Sequence, residues 1–469
     1  MFKRLDTTLY NKPSVLFLLF TVCFSIWTMD LWRQWHTIDK NDNNFRWDVA
    51  GYYSYLPTFF VCKNNTTDCL EDLYKIPLID APLGGKITKG TYGMALMYSP
   101  FFALGYKVAK NEHQPLDGYS EPFATCLHWG SIFYALLGLI LLRNLLIKFY
   151  SEKVTAITLA IVFFGTNLFY YTLGQSEMTH GYLFFLYSAF LLTAYHWYQK
   201  QTFWKTILLG FLIGIITLIR PTEILIAFLF LFIALKPEET IFERIRVLLK
   251  NYLHILLIIF ISILVWIPQF LFWKAHTGNY FFFSYPGEKF YWSDPQIINI
   301  LFSYRKGWLV YSPLLILAFV GFFFMKKEHK LLRNCILVLT LFNIYMLSCW
   351  WDWFFGGGFG GRAFIQHYSY LSFPIAALTA FLLEKLDKVV LKNILALSFY
   401  AIIFSGICLN VGQSYQYTQG YIHYNSMTKK AYWHVFGKYK IYGRAEHDYW
   451  LQLSEPDYIK LFKGEKRDQ

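Results

Sequence analysis

The chain has 469 residues, of which 56% are apolar, with a mean hydropathy of +0.33 and a formal net charge of +13. So apolar a chain has too little polar surface for water to cover, which excludes a soluble globular protein and makes lipid the missing solvent. The positive charge does not indicate nucleic acid, because Lys and Arg sit in small groups between apolar runs rather than on one continuous basic face.

The apolar residues gather into about eleven runs, close to the length a helix needs to span roughly 30 Å of hydrocarbon. They predict helices over approximately 14–30, 124–146, 154–169, 180–198, 206–219, 222–236, 252–273, 308–325, 334–349, 364–383 and 394–410. Three runs are short for a span, so the expected fold is an all-α integral membrane protein with roughly nine to thirteen crossings. The first run lacks a small-residue cleavage site around Cys23 to Trp27 and reads as a retained anchor rather than a leader.

A long loop, about 31–122, follows the first run. It holds Cys62 and Cys69, which either pair as a disulfide in an oxidising compartment or stay reduced. It also holds the stretch from Gly93 to Phe102, interrupted by Pro100 and flanked by Lys89 and Lys107, which predicts an amphipathic helix in the membrane interface rather than a span. If Lys3, Arg4 and Lys12 are cytoplasmic, strict alternation puts five further basic groups on the same side. These are Arg143/Lys148/Lys153, Lys200/Lys205, Lys236/Arg244/Arg246/Lys250, Lys326/Lys327/Lys330/Arg333 and Lys385/Lys388/Lys392. The opposite side then receives the long loop, the turns near 170–179, 220–221 and 350–363, a loop of medium length at 274–307 and a tail from 411. Residues 1–410 thus form the membrane domain, and the tail, 411–469, is too short for a large core of its own and is expected to pack on that domain.

Four polar clusters fall on that one expected face. In the segment from Arg46 to Pro57, Asp48 stands among Tyr52, Tyr53 and other aromatics. Burial there would raise its pKa and make it a useful base; the competing reading is a helix-capping Asp beside an interface belt. From Tyr170 to His180, Glu177 and His180 lie three apart, and on one helical turn they would share a face able to hold a metal or orient a phosphate, or would simply cap the next span. Arg220 and Glu223 flank Pro221 and Thr222 in an otherwise apolar stretch, as a local ion pair or as a cationic site for a lipid phosphate. From Trp350 to Arg362, Asp352 and five glycines lie among aromatics. Exposed amides with Arg362 suit an anion there, while a plain flexible turn or a sugar-stacking platform accounts for the same residues.

At these residues the chain resembles the polytopic glycosyltransferases of the GT-C superfamily, the class that includes protein O-mannosyltransferases and the aminoarabinose transferase of lipid A. The likeness extends from about residue 1 to about residue 385. It rests on Trp47-Asp48-Val49-Ala50-Gly51-Tyr52-Tyr53, on Gly90-Thr91-Tyr92-Gly93 leading into Tyr98-Ser99-Pro100-Phe101-Phe102, and on Ser176 to His180. It continues with Gly210 and Gly214 ahead of Arg220-Pro221-Thr222, and with Trp350 to Arg362 before Pro374.

The resemblance implies transfer of a sugar from a polyprenyl-phosphate carrier to a protein, lipid or glycan acceptor outside the cytoplasm, with inversion at the anomeric carbon. It implies Asp48 as the base and Arg220 and Arg362 as donor-phosphate ligands, with Glu177, His180, Glu223, Asp352, Tyr52 and Tyr53 in support. The sequence lacks an Asp-Glu pair around Asp48, so a divalent metal is not required, and Glu177 and His180 are the candidate ligands if one is used. A bacterial inner membrane is expected, with the N-terminus cytoplasmic and the active site periplasmic, although Asn64-Asn65-Thr66 would be a glycosylation sequon in the endoplasmic reticulum. The competing class is a transporter or flippase, in which Arg and Glu mark a translocation path. The lack of an internal repeat and the one-sided placement of the clusters weigh against it.

Overall fold

The computed structural model describes residues 12–32, 45, 47–62, 78–235, 239–386, 392–440, 453–454 and 456–465. Arg46, Cys69, the sequon at Asn64 to Thr66, Lys236 and Lys388 lie outside the described residues. Helix dominates. The one sheet among the described residues is a two-stranded antiparallel hairpin, Leu78–Asp80 (β1) against Lys86–Thr88 (β2).

Each apolar run of the sequence is helical. In chain order the helices are α1 (Pro13–Trp32), α2 (Trp47–Tyr53), α3 (Tyr55–Phe60), α4 (Gly93–Asn111), α5 (Glu121–Leu146), α6 (Glu152–Phe164), α7 (Leu168–Leu173), α8 (Thr179–Gln199), α9 (Phe203–Ile219), α10 (Ala227–Phe232), α11 (Ile241–Lys250) and α12 (Tyr252–Thr277). There follow α13 (Ile297–Phe302), α14 (Trp308–Tyr311), α15 (Ile316–Gly321), α16 (Lys330–Cys349), α17 (Tyr368–Leu386), α18 (Lys392–Thr418), α19 (Lys429–Val435) and α20 (Tyr458–Lys463).

Several runs are broken where the backbone demands it. Pro221 opens a 3-10 turn, Pro221–Ile226, between α9 and α10, and Pro313 opens another between α14 and α15, because proline lacks the N–H that would continue the helical ladder. Pro100 behaves differently. It sits inside α4, which runs to Asn111, further than the sequence suggested, and the Leu96 carbonyl that a Pro100 N–H would have served accepts instead from Ser99 Oγ at 2.8 Å.

Among the described residues five helices are long and apolar enough to cross a membrane: α1, α5, α12, Lys327–Cys349 and Leu397–Thr418. Only 17% of the apolar window of α12 is buried against protein, so exposed Leu256, Ile259, Phe260 and Ile263 need lipid to cover them. The protein is an all-α membrane protein.

The chain forms two compact units. One comprises Arg33–Leu141 and Gln175–Pro286, and the other Met1–Trp32, Leu142–Gly174 and Gly287–Gln469. In the former, α9 packs on α8 and α12, α2 on α4, and α4 on α9. The α9–α12 contact is made by glycine. A Cβ on Gly210 would lie 2.7 Å from the Ile258 carbonyl oxygen, and one on Gly214 would lie 2.8 Å from Val265 Cβ. The closeness lets Ser262 Oγ donate to the Gly210 carbonyl at 2.9 Å. Lipid removes the hydrophobic drive between helices, so dispersion at short range and such hydrogen bonds hold the pair. Gly210→Leu is therefore expected to destabilise the protein by about 1–3 kcal/mol, read as a lower unfolding midpoint in mixed micelles, with Gly210→Ala intermediate. A wild-type midpoint in the Leu variant would show that the helices are not held at this distance.

In the other unit, α6 packs on α1 and α17, and α15 on α17. Its polar link is a partly buried network in which Arg143 donates to Ser14 Oγ at 2.8 Å and pairs with Glu152. Of the cysteines, Cys62 is disulfide-bonded, whereas Cys23, Cys126, Cys335, Cys349 and Cys408 are outside any disulfide.

Candidate functional site

The Asp48 side chain stands in the first turn of α2, and it is exposed. Burial of this acid was expected from its aromatic neighbours, but the helix buries Val49, Ala50, Gly51 and Tyr53 and leaves its first turn outward. The platform beneath is fixed. Tyr53 is fully buried, donates its hydroxyl to the Gly118 carbonyl and stacks on Phe45 at 4.0 Å between centroids, so it packs the platform rather than meeting a ligand. Thr88 Oγ1 donates to the Gly51 carbonyl at 2.9 Å, and Tyr55 donates to the Gly90 carbonyl at 2.9 Å. Tyr52 is half-buried, with its ring edge only 2.6 Å from where a Gly90 Cβ would stand, so residue 90 must be glycine for that ring to lie there. On α12, fully buried Gln269 accepts from the Tyr92 N–H at 2.9 Å and ties the same loop down.

Arg220 ends α9 in an extended conformation and is half-buried. Glu223, three residues on, is buried and accepts from the Tyr187 hydroxyl. Asp48 and Arg220 are brought within electrostatic reach of one side chain, Tyr285. Burial holds the Tyr285 phenol above its usual range, the Asp48 charge raises it further, and the Arg220 charge lowers it. The Lys89 ammonium lies 4.9 Å from the centre of the same ring, and Ser284 Oγ donates to the Lys89 carbonyl at 2.5 Å. An exposed carboxylate, two cations and a phenol thus gather in this unit.

Glu177 and His180 do not share a helical face, because Glu177 lies in the turn before α8 whereas His180 is on it. The Glu177 carboxylate instead meets His128 of α5, with Nδ1 to Oε1 at 2.9 Å, and Ser176 Oγ reaches the same Nδ1 at 2.9 Å. The Glu177 carbonyl accepts from Tyr98. All of these side chains are buried. No group of three or more His, Cys, Asp or Glu side chains among the described residues is placed to hold a metal.

The other unit holds a second cluster. Its glycine loop takes positive φ at Phe355 (57°), Gly356 (62°) and Gly360 (61°), and the backbone between them is clamped by side chains. The Phe359 N–H donates to Tyr171 Oη at 2.9 Å, and Asn167 Nδ2 donates to the Phe359 carbonyl at 3.3 Å. Tyr368 in turn donates to Asn167 Oδ1 at 2.6 Å. Buried Lys306 donates to the carbonyls of Gly358 and Tyr424, so it ties the loop to the segment after α18.

Burial, with repulsion from Arg362 and Arg305, pushes the Lys306 ammonium well below its ordinary range. Asp352 is also buried, and burial raises its carboxyl to about 7 against the pull of Arg362, the Gly356 N–H, Arg305 and Lys306. Arg305 lies over the Phe354 ring at 4.7 Å. Three cationic side chains around one acid, beside a glycine-rich backbone, form an environment suited to an anion.

Reading the sequence alone passed over Lys89, Tyr285, His128, Arg305 and Lys306. Lys89 had a signal, being adjacent to the Gly90-Thr91-Tyr92-Gly93 stretch; the others sit in loops or helices with nothing in spacing to mark them. Fold and clusters together define a class, the all-α membrane proteins. No protein-family model matches the chain, and no curated protein matches it.

Proposed function

We propose that the protein is a membrane glycosyltransferase that moves a sugar from a polyprenyl-phosphate donor to an acceptor hydroxyl on the extracytoplasmic side, through about eleven spans in a GT-C-like arrangement. The observation that carries this reading is the placement of Asp48 and Arg220 about one phenol, Tyr285. A carboxylate and a guanidinium are the two groups that such a displacement needs. The acceptor oxygen bonds to the anomeric carbon and its proton passes to Asp48, while the bond from that carbon to the phosphate oxygen breaks and the electron pair leaves with the phosphate. Arg220 stabilises the charge on the departing group, and Arg362 is read as a phosphate ligand within its own unit. Attack opposite the phosphate inverts the anomeric centre.

Purified protein in proteoliposomes, supplied with a radiolabelled polyprenyl-phosphate sugar and a cell-envelope extract as acceptor, is expected to yield label covalently attached to the acceptor. Label that crosses the bilayer still joined to its carrier would instead identify a flippase.

The orientation is tested separately. Single cysteines at Lys148 and Lys327 are expected to resist an impermeant maleimide in intact cells, whereas one after Gln413 reacts, because basic connections stay cytoplasmic. External labelling at Lys327 would invert the assignment.

A further inference from the structure

Asp352 Oδ1 is buried and has no hydrogen-bond partner in the structure. Asp352 as a whole is 9% exposed, and the groups that face its carboxyl are Arg362 at the start of the turn Arg362–His367, Arg305 and Lys306 ahead of α14, and the Gly356 N–H. Burying a carboxyl oxygen without a partner is costly, and such an oxygen beside three cations marks a place shaped for something else to bond. The cations say that it is an anion. A carboxylate facing an anion would repel it, but a carboxylic acid has an O–H to give.

We propose that Asp352, Arg305, Lys306 and Arg362 form a binding site for a phosphate monoester, in which Asp352 Oδ1 hydrogen-bonds a phosphate oxygen through a proton that it carries. The proposal rests on the reading of Arg362 as a phosphate-binding residue and adds the acid and two further cations to it. The acid form is accessible near neutrality, since burial places the carboxyl at about 7. The sign follows from linkage. Phosphate favours the protonated carboxyl, so binding is strongest below that value and weakens by about tenfold per pH unit above it. Phosphate also restores the attraction that burial and two arginines deny the Lys306 ammonium.

The full-length protein in nanodiscs, titrated calorimetrically with farnesyl phosphate, tests this. The second ionisation of the phosphate affects wild type and variant alike and cancels in the ratio of their dissociation constants. Asp352→Asn carries an N–H donor and no charge at every pH. It is expected to bind within about twofold of wild type at pH 6 and about tenfold more tightly than wild type at pH 8, as about a tenth of the acid then remains protonated. A ratio that does not change with pH, or an Asn variant weaker at both values, would overturn the proposal. If Arg362→Ala still weakens binding in that case, the phosphate reading of Arg362 stands without it; if wild type binds no farnesyl phosphate at either pH, both fall. Inorganic phosphate is expected to bind at least tenfold more weakly than the ester, and equal affinity would assign the site to the free ion and overturn the ester.

Discussion

Asp48→Asn is expected to abolish sugar transfer while leaving a folded, membrane-inserted protein. Asn keeps the shape of Asp and is tolerated at the start of a helix, and α2 is anchored by Tyr53 and by the Thr88 bond to Gly51. Asn does not accept a proton, and loss of a general base lowers the rate by about 100-fold to 10,000-fold. Asp48→Glu should also be poor, since misplacement by about 1 Å can cost on the order of 100-fold. Donor affinity should survive in both variants, because Asp48 serves the acceptor. Transfer rates at matched expression decide the matter. Near-normal turnover by the Asn variant would remove Asp48 as the base and leave Glu177 and Asp352 as the remaining acids, of which Glu177 is engaged by His128.

Arg220→Ala should weaken donor binding by about 10-fold to 100-fold, the range expected when a hydrogen-bonded contact to a charged group is lost, and should leave acceptor binding nearly intact. Arg362→Ala, in the other unit, should likewise weaken binding of a phosphate ester. Lys at either position should restore only part of the loss, because an ammonium lacks the two-pronged fork of guanidinium. Equilibrium binding of a labelled polyprenyl-phosphate sugar reads the effect. Unchanged affinity in both Ala variants would leave these side chains structural, with Arg220 serving only to end α9.

The helices of the eleven apolar runs were legible because burial in lipid demands such runs, whereas helices outside them, such as α11 and α13, carry no such signal. The break at Pro221 could be anticipated from proline's missing N–H, whereas the one at Pro313 falls inside a run read as a single helix, 308–325, and the continuity of α4 through Pro100 depends on one hydroxyl, Ser99, rescuing one carbonyl. The acids and arginines of the site stood out as charges in apolar surroundings. What those charges touch did not, since contact is made by the fold. His128 meets Glu177 from 49 residues away, and Lys306 reaches the Gly358 carbonyl across 52. Lys306 in particular reads as one more solvated loop lysine until the chain is folded around it. The exposure of Asp48 was misjudged for the same reason: aromatic neighbours in sequence need not be neighbours that cover it.

The interleaving of the two units also sets an order of events during synthesis. The unit containing α9 and α12 has its last residue at Pro286, whereas the other draws on Gly287–Gln469 and on segments made much earlier, including α1 and α6. At about 5–20 residues per second, roughly 10–40 s separate the completion of the two. Throughout that interval α1 and α6 are already made, without α17, which packs on α6 in the finished protein, and without α15, which packs on α17. The bonds joining Arg143, Glu152 and Ser14 all lie within the portion already made. They can hold these early helices together until their later partners arrive.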